Sequence, residues 1–290
     1  MKPMRRRPVQ VLVLAAASLA LALTGCAVIP PPSGESTSLG SFRVECEFSH
    51  RAQVDPIVSF GRTSMHVHDF FGNTSTAATS TYDSMRRGGT TCSDPGDRAA
   101  YWAPSLVAPG GRFVTPEIAV FYYRNRPVEY SETVPFPPDF RMIAGGKNAY
   151  PHAYWTCDGE SDTGYESRRA TIPNCGPGGK IKLHVFFPSC WDGKRLDSPD
   201  HRSHVAYGLD DDGGVEGTDP DVCPASHPVK IPQLDFRVQY DVSDGRAYRL
   251  SDGEVLPHVD FWNTWHQPRL EHWVDRCLGH RGISCKLATG

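Results

Sequence analysis

The sequence predicts a mainly β domain, an antiparallel sandwich or jelly-roll with long disulfide-stapled loops and a short C-terminal helix. Three observations predict it. Gly and Pro number 27 and 25 in 290 residues and are spread along the chain, so long helices are interrupted and turns recur. Several short runs alternate apolar and polar residues with the period of a strand. Eight of the nine cysteines remain once one is assigned to an export signal, an even set that suits bridges in an exported chain. With 39% hydrophobic and 22% charged residues the composition is globular, which excludes a wholly disordered or collagen-like chain.

At the N-terminus, residues 1–25 have the pattern of a lipoprotein signal peptide: Lys2 and Arg5 to Arg7, an apolar run from Val9 to Leu23, then Thr24-Gly25 before Cys26. The run is about 15 residues long, short of the ~20 that a spanning helix needs. Cleavage before Cys26 and a diacylglycerol on its sulfur place two acyl chains in the membrane, which is what stable anchoring takes. The expected location is extracytoplasmic, at the membrane face, with the membrane as partner. Residues 26–41 carry Pro30 to Pro32 and several serines and read as a linker. Residues 42–290 then form a single globular domain. Without the four basic residues of the signal, the net charge of −3 becomes −7. No nucleic-acid partner is expected of an acidic domain without a basic stripe.

Along the domain, Ile118 to Tyr123 is continuously apolar and aromatic and predicts a strand buried on both faces. Lys180 to Phe187 alternates, with Ile181, Leu183, Val185 and Phe187 inward. Phe236 to Val242 alternates strictly, predicting a strand with one wet face. The triple acid at Asp210 to Asp212, followed by Gly213-Gly214, has the wrong spacing for a calcium loop and reads as a solvated turn. Near the end, Leu270, Trp273, Val274 and Cys277 fall on one helical face, with Pro268 before the first turn and Gly279 to close the last.

The eight remaining cysteines, Cys46, Cys92, Cys157, Cys175, Cys190, Cys223, Cys277 and Cys285, suggest four bridges. About a hundred pairings are open; neighbours in chain order are the expectation, with Cys277–Cys285 the foremost. No Cys-x-x-Cys occurs, which disfavours a cysteine zinc site.

Three polar groups carry the candidate chemistry. In Ser64-Met65-His66-Val67-His68, an extended chain sets Ser64, His66 and His68 on one face. The block Cys190 to His204 holds Trp191, Lys194, Asp200, His201 and His204 in a loop rich in Asp, Ser and Pro. In Pro257 to Trp265, His258 and Asp260 again lie two apart, followed by Trp262. Each group also has a structural reading: histidines bonded to nearby carboxylates, short acids capping turns, and tryptophans filling a core.

Asp55-Pro56-Ile57-Val58, the Ser64 to His68 run, Tyr101-Trp102-Ala103-Pro104, the block Phe187 to His204 and His258-Val259-Asp260-Phe261 together resemble the DUF1996 family, exported bacterial and fungal proteins classed as a domain of unknown function. Its fungal members are often joined to cysteine-rich WSC modules. The resemblance covers nearly all of the mature chain and implies no reaction. Phe60 stands where the family pattern suggests proline, and Thr264 where it suggests glycine; neither change removes an ionisable group.

Three functional readings follow. In the first, His66, His68, Asp200, His201, His204, His258 and Asp260 are catalytic residues of a polysaccharide hydrolase or lyase, with Ser64, Trp191, Lys194 and Trp262 binding an envelope glycan. Asp200 and Asp260 are then the carboxylate pair that glycoside hydrolysis needs. In the second, zinc or copper is held by His66 and His68 with His204 or His258. In the third, the chain is a non-catalytic, disulfide-stapled surface module. The sequence has no Gly-x-Ser-x-Gly elbow, phosphate loop or His-Glu-x-x-His motif, which disfavours those mechanisms.

Overall fold

The computed structural model describes residues 40–126, 133–160, 165–209, 222–278 and 284–286. The signal segment, Cys26, the linker through residue 39, the acidic run at 210–214 and Gly279 lie outside the described residues. In chain order the strands are β1 (Ser41–Cys46), β2 (Phe48–Val54), β3 (Thr63–Gly72), β4 (Ala100–Pro104), β5 (Leu106–Val107), β6 (Ile118–Arg124), β7 (Arg141–Gly145), β8 (Ala153–Cys157), β9 (Ile181–Phe186), β10 (Cys190–Trp191), β11 (Val205–Ala206), β12 (Val229–Lys230), β13 (Gln233–Tyr240), β14 (Arg249–Leu250), β15 (His258–Trp262) and β16 (Ser284–Lys286). The α-helices are α1 (Tyr82–Met85) and α2 (Gln267–Leu278).

Two large sheets carry the architecture, one of six strands in the order β16-β1-β6-β13-β9-β8 and one of five in the order β2-β3-β4-β15-β7. Neighbours are antiparallel except β1 and β16. The sheets meet face to face through aromatic side chains. Tyr101 of β4 stacks on Phe121 of β6 with ring centroids 3.7 Å apart, and Phe71 of β3 meets the edges of Phe121 and Phe236. Each such ring contributes about 1.5–3 kcal/mol by leaving water. The buried polar tips are satisfied in one chain: the Tyr101 hydroxyl bonds Asp97 and Tyr123, and Trp265 Nε1 donates to Tyr123.

The predicted antiparallel sandwich is thus observed, and the strand periods place the core: Ile181, Leu183, Val185 and Phe187 point inward, as do Phe236, Val238 and Tyr240. Two local expectations are corrected. β6 has one core face, with Ala119, Phe121 and Tyr123, while Ile118, Val120 and Tyr122 on the other are half-buried. Tyr122 there carries the Arg124 and Arg237 guanidinium groups instead of a second core. The polar face of β13 is not wet either: Asp235 is fully buried, bridged by Arg124 and Arg237.

Helix α2 begins with Pro268 as its second residue and buries Leu270, Val274, Cys277 and Leu278, while half-buried Trp273 donates its Nε1 to Asp94. Four disulfides join neighbours in chain order, Cys46–Cys92, Cys157–Cys175, Cys190–Cys223 and Cys277–Cys285.

The outer face of the five-stranded sheet is covered as well. The segments after β2 and after β3 fold back over it, so that Ile57 from the first and Met85 of α1 from the second pack with Phe70, Trp102, Ile143 and Trp262. Polar residues on that face are therefore buried between strand and covering segment.

Candidate metal centre

Strand alternation puts Ser64, His66, His68 and Phe70 of β3 on the covered outer face, and His258, Asp260 and Trp262 of β15 on the same face. β4 runs between them. His68 pairs with Pro104 and Phe70 with Trp102 on one side, and Asp260 pairs with Trp102 on the other. Carrying that register two residues further sets His258 level with Pro104. The two imidazoles lean together across the proline, and His68 Nε2 lies 3.3 Å from His258 Nε2. His66 stands beside both, its ring centroid 4.4 Å from that of His68 and 5.0 Å from that of His258.

The outward nitrogen of His68 fixes its tautomer. His68 Nδ1 donates to the Val54 carbonyl at 2.9 Å, which leaves a bare lone pair on Nε2. His258 Nδ1 faces Asp252 Oδ2 at 3.7 Å. The two Nε2 atoms, turned toward each other, have carboxylates beside them. Asp260 Oδ2 is 3.5 Å from His258 Nε2, and Asp55 Oδ2 is 4.0 Å from His68 Nε2. Asp55 uses Oδ1 to accept the Ile57 and Val58 amides, so Oδ2 is its available oxygen. Asp260 is fully buried and neither oxygen has a hydrogen-bond partner; His66 Nε2 is enclosed and equally without one. Buried polar atoms are rarely left so.

Electrostatics tell the same story. Burial first, then the neighbouring imidazoles, hold His68 down at about 2; burial, His66 and Arg202 hold His258 down at about 3. His66 is lowered by burial too. Burial raises Asp55 and Asp252, and raises Asp260 well above the usual carboxylate range, with the Asp55 charge adding to it. Arg202 at the edge does not bring Asp260 into the usual carboxylate range, and a positive charge within the cluster would let its acids ionise and give its lone pairs a target. A divalent metal ion has that character.

Geometry fits such an ion. His66, His68 and His258 form one set, and Asp55, His68, His258 and Asp260 another, with the ligand atoms of each set within 4.8 Å of one another. Metal–nitrogen bonds of about 2.0–2.1 Å give a tetrahedron with edges of about 3.3–3.4 Å. The 3.3 Å and 3.5 Å separations match that edge, and the 4.0 Å one exceeds it slightly. His68 and His258 belong to both sets. Cys46, Cys92 and Asp97 also gather, but there the two sulfurs are bonded to each other.

The other predicted residues fall elsewhere. His204 is fully buried with both nitrogens engaged, Nδ1 with Ser198 Oγ and Nε2 donating to the Arg141 carbonyl, so His258 and not His204 joins the β3 histidines. Asp200 accepts from Ser198 Oγ and from the Arg202 and Ser203 amides, and these bonds hold its carboxyl well below the usual range as a turn cap. His201, at φ 56°, binds Asp197 through Nδ1 at 2.9 Å, and its carbonyl accepts the Ile143 amide. Trp191 donates to the Arg195 carbonyl, and exposed Lys194 donates its amide to Asp192. Trp262 is 1% exposed and donates to Asp139, so it has no free face for a sugar ring. Ser64 is buried beside this group of histidines on β3.

Sequence reasoning missed two residues, Asp55 and Asp252. The available signal was position: an Asp-Pro pair just before the strand bearing His-x-His, and an Asp-Gly turn just before His258.

A family model described as Domain of unknown function (DUF1996) matches residues 55–265, a span that contains every residue of the cluster. No curated protein and no solved structure matches the chain.

Proposed function

Since the chain belongs to the DUF1996 family, whose description states no activity, we propose that it is an exported lipoprotein that binds one zinc or copper ion through His68 and His258. Asp260 supplies a third ligand on the buried side, while Asp55, at the longer 4.0 Å separation, and half-buried His66 flank the set, which leaves a fourth position open. One observation carries this: two imidazoles present Nε2 atoms to each other at 3.3 Å beside a fully buried carboxylate that has no hydrogen-bond partner. Imidazole-rich sets suit zinc and copper and disfavour calcium and magnesium.

A metal with an open position supplies a bound water of lowered pKa for hydrolysis. The chain's own residues orient the ligands: Val54 through its carbonyl holds His68, and Asp252 faces His258, in the manner of outer-shell partners of metal-bound histidines. Four disulfides support an extracytoplasmic setting. Among the described residues no helix is long and apolar enough to cross a membrane; anchoring is assigned to lipid on Cys26. A glycan reading that rests on Asp200 with Asp260 has weaker support, because Asp200 is committed to its own turn and Asp260 is fully buried.

Elemental analysis of the purified protein after loading and desalting tests the proposal. About one equivalent of zinc or copper is expected in the wild type and in His204→Ala, and almost none in His68→Ala or His258→Ala. Retention of metal in both of the latter variants, or none in the wild type, refutes it.

A further inference from the structure

We propose that the metal centre takes an oxyanion, a carboxylate or phosphate group of its substrate, with one oxygen on the metal and the negative charge on Arg202. This rests on the metal reading.

The turn segment 196–202 covers the edge of β7: Arg141 N donates to the Leu196 carbonyl and Ile143 N to the His201 carbonyl, each at 3.0 Å, and Arg202 Nη1 donates to the Gly145 carbonyl at 3.2 Å. In the β7–β15 ladder Gly145 pairs with His258 and Ile143 with Asp260. Arg202 is thereby held one strand from the two ligands. Its neighbours on this wall are committed: Arg141 to Asp139 and Asp197, Arg195 to Asp192. Arg202 is exposed, and among the described residues no carboxylate lies within ion-pair distance of it. A fixed guanidinium beside a divalent ion repels it, and the repulsion weakens metal binding. A ligand anion between the two reverses the sign, since guanidinium groups bind carboxylate and phosphate by paired, charge-assisted hydrogen bonds. His201, on the same turn and tied to Asp197, is a second polar group at this edge.

The test titrates the zinc-loaded protein with inorganic phosphate and, separately, with glucuronate, by calorimetry, for wild type, Arg202→Gln and Arg202→Lys. Zinc content is measured first. The expected result is saturable binding of one of the two anions, with the same zinc content in all three proteins, at least about tenfold weaker in Arg202→Gln and partly restored in Arg202→Lys. Phosphate alone points to a phosphate ester as substrate and glucuronate alone to an acidic sugar. Equal affinity in wild type and Arg202→Gln, or no binding of either anion to the loaded protein, overturns the inference while leaving the metal reading intact. A wild type that takes up no zinc overturns both, and is seen before any anion is added.

Discussion

Asp260→Asn separates the metal-free from the metal-bound protein, because the two states respond with opposite sign. Without metal, a fully buried carboxyl with no hydrogen-bond partner is held well above its usual range. An amide of the same shape cannot ionise, and it has an N–H to offer His258 Nε2, which lies 3.5 Å from the present Oδ2. An unpaired buried polar group costs about 1–3 kcal/mol, so the metal-free variant keeps or gains stability. With zinc at one hundred times its dissociation constant, the wild type is stabilised by about 2.7 kcal/mol, a rise in Tm of about 5–11 °C for a chain of this size. Changes in outer-shell partners alone weaken metal sites about 10–100-fold, so loss of a direct ligand weakens this one by at least the upper figure. At the same zinc concentration the variant gains about 0.4 kcal/mol, or about 1 °C. Scanning calorimetry in EDTA and in buffered zinc reads all four values. Equal zinc-induced shifts in both proteins, or a metal-free variant several degrees below the wild type, refute the reasoning.

Two further outcomes test the frame around the site. His184 on β9, fully buried and bonded to Thr156, is held well below the imidazole range, chiefly by burial and then by Arg237, so the unfolded chain takes up a proton below about pH 6.5 that the folded one refuses. Stability from this group is therefore present above pH 6.5 and lost as pH falls, by about 1.4 kcal/mol per unit. Unfolding free energies from urea titrations in EDTA are expected to fall between pH 7 and pH 5 by about 2 kcal/mol more for wild type than for His184→Gln, and parallel slopes refute it. Gly145 has φ 73°, and a Cβ there runs into the Pro257 carbonyl oxygen. Gly145→Ala is expected to lose at least about 1–2 kcal/mol and several degrees of Tm; an unchanged Tm contradicts the ladder beside His258.

What was legible in the sequence was whatever is written at short range. Strand period identified the core residues of β9 and β13, helical spacing the buried face of α2, and the i, i+2 pattern the two halves of the site, His66 with His68 and His258 with Asp260. The errors arose where a distant segment decides the environment. β13 alternates, yet its polar face is buried because Arg124 from β6 reaches Asp235. His204 resembled the other histidines as a residue in an acidic, serine-rich loop, but Ser198 and the Arg141 carbonyl occupy both of its nitrogens. Which histidines meet is a matter of sheet order, and β15 follows β3 by some 190 residues.

The strand that makes the meeting possible contributes no ligand. Adjacent strands lie about 4.8 Å apart, so His68 and His258, separated by β4, start about 10 Å apart at the backbone. They close to 3.3 Å only if nothing long rises between them. Pro104 meets that need: its ring is compact, and at the end of β4 it sits where a missing N–H is tolerated. One row along, Trp102 does the reverse, filling the space between Phe70, Asp260 and Ile143. An open row beside a filled one makes a cup whose floor excludes water from Asp260. The same alternation of proline and tryptophan on β4 thus explains both the convergence of the imidazoles and the burial of the carboxylate beside them, and either feature without the other makes a poorer metal site: converged imidazoles alone lack the counter-charge, and a buried acid alone lacks a partner.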